Sequence, residues 1–417
     1  MVRLAPGVAL DIALAFAPDA RVPVGQLAWA QQTAQLQWSN EIIDRQLRVE
    51  GGLLYPPERG LLAARSRAFD GLHGFLNDSL PEGWGRLVMS RRLAKLGVDI
   101  ASLTPVEQLA LVGEGGRGAL VFQPATTPDA ESATGIDLDE LAEEAAQILS
   151  GEDGKLADIL AKAAGGSGGA RPKVHVGFGP NDEISVGGGE LPADHTAWIV
   201  KFRANEDPID IGPLEEAYAT MAEAAGLKLA PHRLIEAKKG PGYFATCRFD
   251  RPGPNRRMHM LSLAGAIESP LETPYSYDKF LRATRAITRN AEDVERAFRR
   301  RVFNVLAHNR DDHVRQHAYL MDENGDWRLA PAYDLTYAAG PGGEHYLDID
   351  GEGRRPARAH IDALAATHGI GAKDVAAMVE AVKDAVGDWG KFAKGAGVTA
   401  GTTKLVADAH ARVRSTF

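Results

Sequence analysis

The chain has 417 residues, with 47 Lys and Arg against 56 Asp and Glu, a formal net charge of −9, 44% hydrophobic and 25% charged residues. These are the proportions of a soluble globular protein and exclude a disordered or membrane-embedded chain; the acidic balance makes any DNA contact local or partner-dependent. At roughly 150 residues per domain the length suits two to three compact units, and the one cysteine, Cys247, excludes an internal disulfide and fits a reducing, cytoplasmic compartment.

The N-terminal run carries Asp11 among apolar residues and lacks a basic leader, so it reads as a first strand and not as a signal peptide. The chain has no run of about 18 consecutive apolar residues, the length that could span a membrane. Residues 1–125 hold short apolar runs broken by turn chemistry, as at Val24-Gly25-Gln26-Leu27 and Gly113-Glu114-Gly115-Gly116-Arg117-Gly118. They predict a small β-rich domain with a helix near 84–96. Residues 126–163 shift to helix-forming composition, with Leu138, Leu141, Ala145 and Leu149 at helical spacing, and predict a helical connector.

The Gly-rich stretch 165–169 opens the next unit, 164–251, and runs into strands at 174–178 and 196–202 and a helix over 214–226 that ends at glycine. From 252 to 417 the character is helical. Val294, Ala297, Phe298, Val302, Val305 and Leu306 define one helix face, with Asn290 as its N-cap and Asp293 three residues on. The fold class is α+β, with two lobes following the N-terminal domain, the first β-rich and the second α-rich.

Three segments carry chemistry. Glycines before Arg171 and Lys173 let backbone N–H groups approach a phosphate, although the spacing is not that of a Walker loop and a flexible linker has the same composition. Lys201 ends an apolar strand; it is either an edge-strand charge or an inward lysine paired with a helix carboxylate, for which Glu215 and Glu216 are available. In the segment from His308 to Leu335, Asp311, Gln316 and Asp334 have the order that phosphoryl transfer needs for a proton acceptor, an amide metal ligand and a metal-binding carboxylate. His308, His313 and His317 suggest a rival metal hydrolase, with His313 and His317 four apart on a helix, but the glutamate of His-Glu-x-x-His is missing. A solvated turn is the plain reading of the Asp311-Asp312 pair.

Four strings together resemble the HipA-like serine/threonine kinases of toxin–antitoxin systems: Asp78-Ser79-Leu80-Pro81-Glu82-Gly83-Trp84-Gly85; Gly168-Gly169-Ala170-Arg171-Pro172-Lys173; Arg248-Phe249-Asp250-Arg251; and Asn309-Arg310-Asp311-Asp312-His313 followed by Leu329-Ala330-Pro331-Ala332-Tyr333-Asp334. The resemblance covers nearly the whole chain and implies a protein-kinase-like fold. It implies ATP and Mg²⁺ as cofactors, Asp311 as catalytic base, and Asp334 and Gln316 as metal ligands. It also implies a nucleotide site made of Gly168, Gly169, Ala170, Arg171, Lys173, Lys201, Cys247, Phe249, His313 and Tyr333. Family members pair with a small helix-turn-helix antitoxin, reach DNA only through that complex, and phosphorylate proteins such as an aminoacyl-tRNA synthetase.

Two departures stand out. Gln316 replaces the family's Asn, reaching about 1.5 Å further where Mg²⁺ demands near-ideal geometry. The family's regulatory serine, seven residues before the loop lysine, falls here on Gly166, with Ser167 one position off. A weakened kinase acting mainly as an antitoxin-binding co-repressor is one alternative to the active protein kinase; a small-molecule phosphotransferase is another. For DNA contact the candidate patch is Arg354-Arg355-Pro356-Ala357-Arg358, for which a solvated loop is the plain reading.

Overall fold

The computed structural model describes residues 3–5, 7–126, 133–134, 137–152, 160, 168–186, 190–271 and 273–417. The N-terminal region is a five-stranded antiparallel sheet of β1 (Leu10–Ala17), β2 (Ala20–Ala30), β3 (Thr33–Trp38), β4 (Leu61–Ala63) and β5 (Leu120–Gln123), in the order β4-β3-β2-β1-β5. Leu10, Ile12, Leu14 and Phe16 alternate along β1 and bury one face. Asp11, between them, points the other way and accepts from Gln26 Nε2 at 2.9 Å.

Val24-Gly25-Gln26-Leu27, expected near a turn, lies inside β2. The physical reason is close approach: a Cβ on Gly25 would stand 2.2 Å from the Gln37 carbonyl oxygen of β3. The β1–β2 register also slips beside it, from Ile12↔Gly25 to Ala13↔Pro23. Between β4 and β5 lie the longer helices α1 (Gly83–Lys95) and α2 (Pro105–Val112), the second started by a Thr104–Glu107 capping box.

A second antiparallel sheet has the order β10-β11-β9-β7-β8-β6, from β6 (Ala133–Thr134), β7 (Lys173–Phe178), β8 (Ile184–Val186), β9 (Thr196–Lys201), β10 (His232–Ile235) and β11 (Tyr243–Cys247). Helix α3 (Leu138–Ser150), in the segment read as a connector, packs Leu138, Leu141, Ala145 and Ile148 into one apolar cluster with Val174, Val176 and Val200 of this sheet. Helix α4 (Ile211–Ala224) follows β9.

The helical region contains α5 (Tyr277–Thr288), α6 (Ala291–Leu306), α7 (Arg358–His368), α8 (Ala372–Gly387), α9 (Trp389–Ala396) and α10 (Ala400–Arg414). A small sheet of β12 (His259–Ser262), β13 (Ala318–Met321) and β14 (Trp327–Leu329) accompanies them. The expected face of α6 is buried, and Asn290 caps it by accepting from Glu292 N at 2.9 Å. Asp293 does not complete a capping box; it is buried and accepts from Leu329 N of β14 at 3.1 Å.

One large core cluster runs from the N-terminal sheet to α10, so the N-terminal region packs directly on the helical one. Asp78, of the Asp-Ser-Leu-Pro string, is buried at that junction and accepts from Ser262 N and Oγ at 2.5 and 2.6 Å. Among the described residues no helix is long and apolar enough to cross a membrane.

Candidate active site

A cleft of about 640 Å³ lies between the second sheet and the helical region, lined by the 168–173 loop, β9, the end of β11, residues 311–316 and residues 332–338. That volume is within the range of small-molecule and cofactor sites. Lys201 stands at its base. Strand β9 lies between β11 and β7, which corrects the edge-strand reading: Lys201 is only 9% exposed and points inward. Its Nζ lies 2.5 Å from Asp334 Oδ1 and 2.8 Å from Glu215 Oε2 of α4. Glu215 Oε1 takes Arg171 Nη1 at 2.7 Å, and Arg171 Nε reaches Asp207 at 3.0 Å. Glu216 turns away to His232.

Burial alone would lower the Lys201 ammonium, but Asp334 and Glu215 outweigh it and hold it above its ordinary value. Asp334 is driven the other way: against the cost of burial, Lys201 and Lys173 hold it well below the usual carboxylate range. Its backbone φ of +53° is left-handed, a region that Asp tolerates better than most residues. Lys173 sits directly across from Lys201 in the β7–β9 register. Burial pushes Lys173 down to about 8, with the Lys201 charge adding to the fall and Asp334 opposing it.

Lys173 also shapes the loop before it, donating from Nζ to Gly168 O at 2.6 Å. Gly169 has φ of +83°, and a Cβ there would meet Lys173 Nζ at 2.9 Å. The N-terminal region clamps this loop: Trp84 N donates to Gly169 O at 3.1 Å and Trp84 Nε1 to Lys173 O at 3.0 Å. A Cβ on Gly83 would fall 2.4 Å from Gly169 O, so only glycine admits the contact. Gly165, Gly166 and Ser167, and with them the autophosphorylation reading, lie outside the described residues.

The two adjacent aspartates divide. Asp312 is fully buried and accepts from Tyr277 Oη at 2.7 Å, His345 Nδ1 at 2.9 Å and Tyr346 N at 2.9 Å, with Arg301 Nη1 at 3.4 Å. Despite burial, His345 and Arg301 lower it to about 2. Its anchorage turns Asp311 into the cleft, with 47% of the side chain exposed. Burial pushes Asp311 above the ordinary carboxylate value, the Asp334 charge adding to this while His313 and a hydrogen bond with Gln316 oppose it.

Phe249 and Tyr333 lie 5.6 Å apart, centroid to centroid, on the cleft wall beside Cys247, and Tyr333 Oη donates to Arg315 O at 2.6 Å. Burial pushes the Cys247 thiol up. Asp250, also in the Arg-Phe-Asp-Arg string, is buried and receives Arg248 at 3.0 and 2.7 Å, Arg251 at 2.7 Å and Gly118 N at 2.9 Å. This ties the strand end to the N-terminal region.

The histidines do not converge. His308 meets Ala338 O and stacks on Tyr337, while His317 is buried against Phe280 and pushed down to about 3 by burial. His313 alone faces the cleft, 3.7 Å from Asp311. His313 and His317 flank a single 3₁₀ turn, Val314–Gln316, which corrects the helix expected there. Of the basic run, Arg354 pairs with Glu344 and Arg358 with Asp362.

The cleft's donors suit a magnesium nucleotide. Asp334, Gln316 and Asp311 offer hard oxygen atoms, and Mg²⁺ uses one or two carboxylates together with phosphates and water. A cage of three or more His, Cys, Asp or Glu is not found among the described residues. Two glycines bring the loop backbone at 168–169 close to cationic side chains, since a Cβ on Gly168 would meet Arg117 Nη1 at 3.0 Å and one on Gly169 would meet Lys173 Nζ at 2.9 Å.

The model of the HipA-like C-terminal domain matches residues 165–389, and that of the HipA N-terminal domain matches residues 19–123. No curated protein matches the chain in sequence. The solved HipA, HipB and operator DNA complex of the Shewanella oneidensis MR-1 toxin–antitoxin system contains a similar chain. It is 17% identical, with a TM-score of 0.69 over 98% of this chain and 96% of that one, a likeness of fold. The Helicobacter pylori proinflammatory kinase CtkA aligns at 12% identity and a TM-score of 0.34, over 57% of this chain and 96% of that one.

Proposed function

The chain belongs to the HipA-like family, and from that premise we propose that it is an ATP- and Mg²⁺-dependent serine/threonine protein kinase of a toxin–antitoxin system. The observation that carries this is the convergence of Lys201, Glu215 and Asp334 at the base of a glycine-lined cleft, with Asp311 turned into it. Lys201, held charged and oriented by Glu215, binds phosphate oxygens, and Arg171 in turn fixes Glu215. The loop backbone at 168–170 adds N–H donors. Cys247, Phe249 and Tyr333 line the nucleobase side, and His313 stands beside Asp311.

Asp311 accepts the proton of the substrate hydroxyl at its carboxylate, and its upward shift makes it the stronger base. Asp334 and Gln316 would hold Mg²⁺, which when bound neutralises charge on the phosphates. The HipB and DNA in the Shewanella complex support a helix-turn-helix antitoxin partner here, with DNA reached through it. The protein substrate, of which an aminoacyl-tRNA synthetase is one candidate, is a target of the test. The contact of Gln316 with Asp311 favours the second reading, a weakened kinase serving mainly as an antitoxin-binding module.

The test is incubation of the purified chain with ATP, Mg²⁺ and a cell lysate, followed by phosphosite mass spectrometry. Phosphoserine or phosphothreonine made by the wild type and not by Asp311→Asn supports the kinase. Antitoxin binding without any phosphorylation overturns it in favour of the binding module.

A further inference from the structure

Arg117 lies between α2 and β5, in the N-terminal region, yet its side chain lines the cleft. Its guanidinium rests against the phosphate loop: a Cβ on Gly168 would stand 3.0 Å from Arg117 Nη1 and 3.6 Å from Cζ. Glu82 Oε2 lies 3.8 Å from the same point, and Glu82 pairs with Arg315 of the Asp311–Gln316 segment. Arg117 therefore stands where the loop meets the catalytic segment, while Lys201 and Lys173 occupy the base of the cleft.

Arg117 Nε and Nη2 are shielded from solvent and have no hydrogen-bond partner among the described residues. The surrounding arginines are all engaged: Arg171 with Asp207 and Glu215, Arg248 and Arg251 with Asp250, Arg315 with Glu82. Buried donors are expensive to leave unmade, and a guanidinium beside the opening that turns toward it pairs with phosphate oxygens.

We propose that Arg117 binds the terminal phosphate of the nucleotide in the cleft, so that the N-terminal region supplies a phosphate ligand to the site. The proposal rests on the nucleotide-binding reading above. The terminal phosphate is the one nearest Asp311, the segment Arg117 adjoins; the inner phosphates fall to the lysines and the loop backbone.

Calorimetric titration of the full chain with ATP, ADP and AMP in Mg²⁺ tests this, on the wild type, Arg117→Ala and Arg117→Lys, with thermal melts to verify folding. Arg117→Ala is expected to weaken ATP binding by about tenfold or more while ADP and AMP change by less than about twofold, and Arg117→Lys to recover part of the loss. Unchanged ATP affinity, or an equal loss for all three nucleotides, overturns the proposal and leaves nucleotide binding standing. A wild type that binds none of the three overturns the nucleotide reading and the proposal with it.

Discussion

Asp250 and Asp334 are both carboxylates held low by two cationic side chains, yet their surroundings differ in one respect. Asp250 is 4% exposed, and its oxygens are filled by Arg248, Arg251 and Gly118 N. Asp334 is 31% exposed in its side chain and faces the cleft, and the cations near it are not all neutralised. Lys173 donates only to a carbonyl oxygen, and Arg117 to no described group. A closed ionic cluster joins regions of the fold, whereas one that keeps spare cations beside an opening can receive an anion.

The largest effect is expected at the open cluster. Asp311→Asn should lower the phosphoryl-transfer rate by about 10³-fold, the size of a lost general base, with an unchanged melting curve because the side chain is half-exposed. Single-turnover phosphorylation measures it, and retained turnover removes Asp311 from the chemistry.

The closed cluster should fail in the opposite way. Asp250→Asn leaves Arg248 and Arg251 buried without their carboxylate and should cost roughly 3 kcal/mol of stability, read in urea denaturation. ATP affinity at temperatures where the variant is folded should be nearly that of the wild type. Stability lost together with nucleotide selectivity would merge the two clusters into one.

Acid provides a third comparison. Asp312 has a folded value of about 2, below its unfolded value of about 3.9, so its contribution is complete above pH about 4 and is lost as the pH falls toward 2. Asp312→Asn should be less stable than the wild type at pH 7, with the gap closing over that window. A gap that is constant from pH 6 to 2 would show that the Asp312 charge is not what holds this loop.

Lys201→Met should weaken ATP binding by about tenfold, about 1.4 kcal/mol, as seen by calorimetry. The smallest change is expected for Gln316→Asn: retracting the amide by about 1.5 Å removes its contact with Asp311 and should raise kcat by several-fold. Kinetics across a Mg²⁺ series measure it, and an unaltered rate and Mg²⁺ dependence would remove residue 316 from the metal site.

The order of Asp311, Gln316 and Asp334 and the α6 face were legible because they depend on spacing within one stretch of chain. Asp311 could be singled out by its place in that order, but the burial of Asp312 could not be read from the same polar run; the partners that hold it, Tyr277, His345 and Arg301, lie 35, 33 and 11 residues away. Asp250 had the same problem, its neighbour Gly118 being 132 residues distant. A glycine within β2 resembled a turn because its cause, the Gln37 carbonyl, belongs to another strand.

By itself the amino-acid sequence determined the composition of a globular acidic chain, the periods of its helices and strands, and the residue types of its Gly-rich loop and of the Asp311–Gln316 segment, because these follow from nearest neighbours along the chain. Only the tertiary structure decided that Lys201 faces inward between Glu215 and Asp334, that Gly83 and Trp84 clamp the loop, and that Arg117 enters the cleft. Charge pairing and burial depend on groups brought together from distant segments, and no local pattern specifies which of several equivalent side chains will be left without a partner.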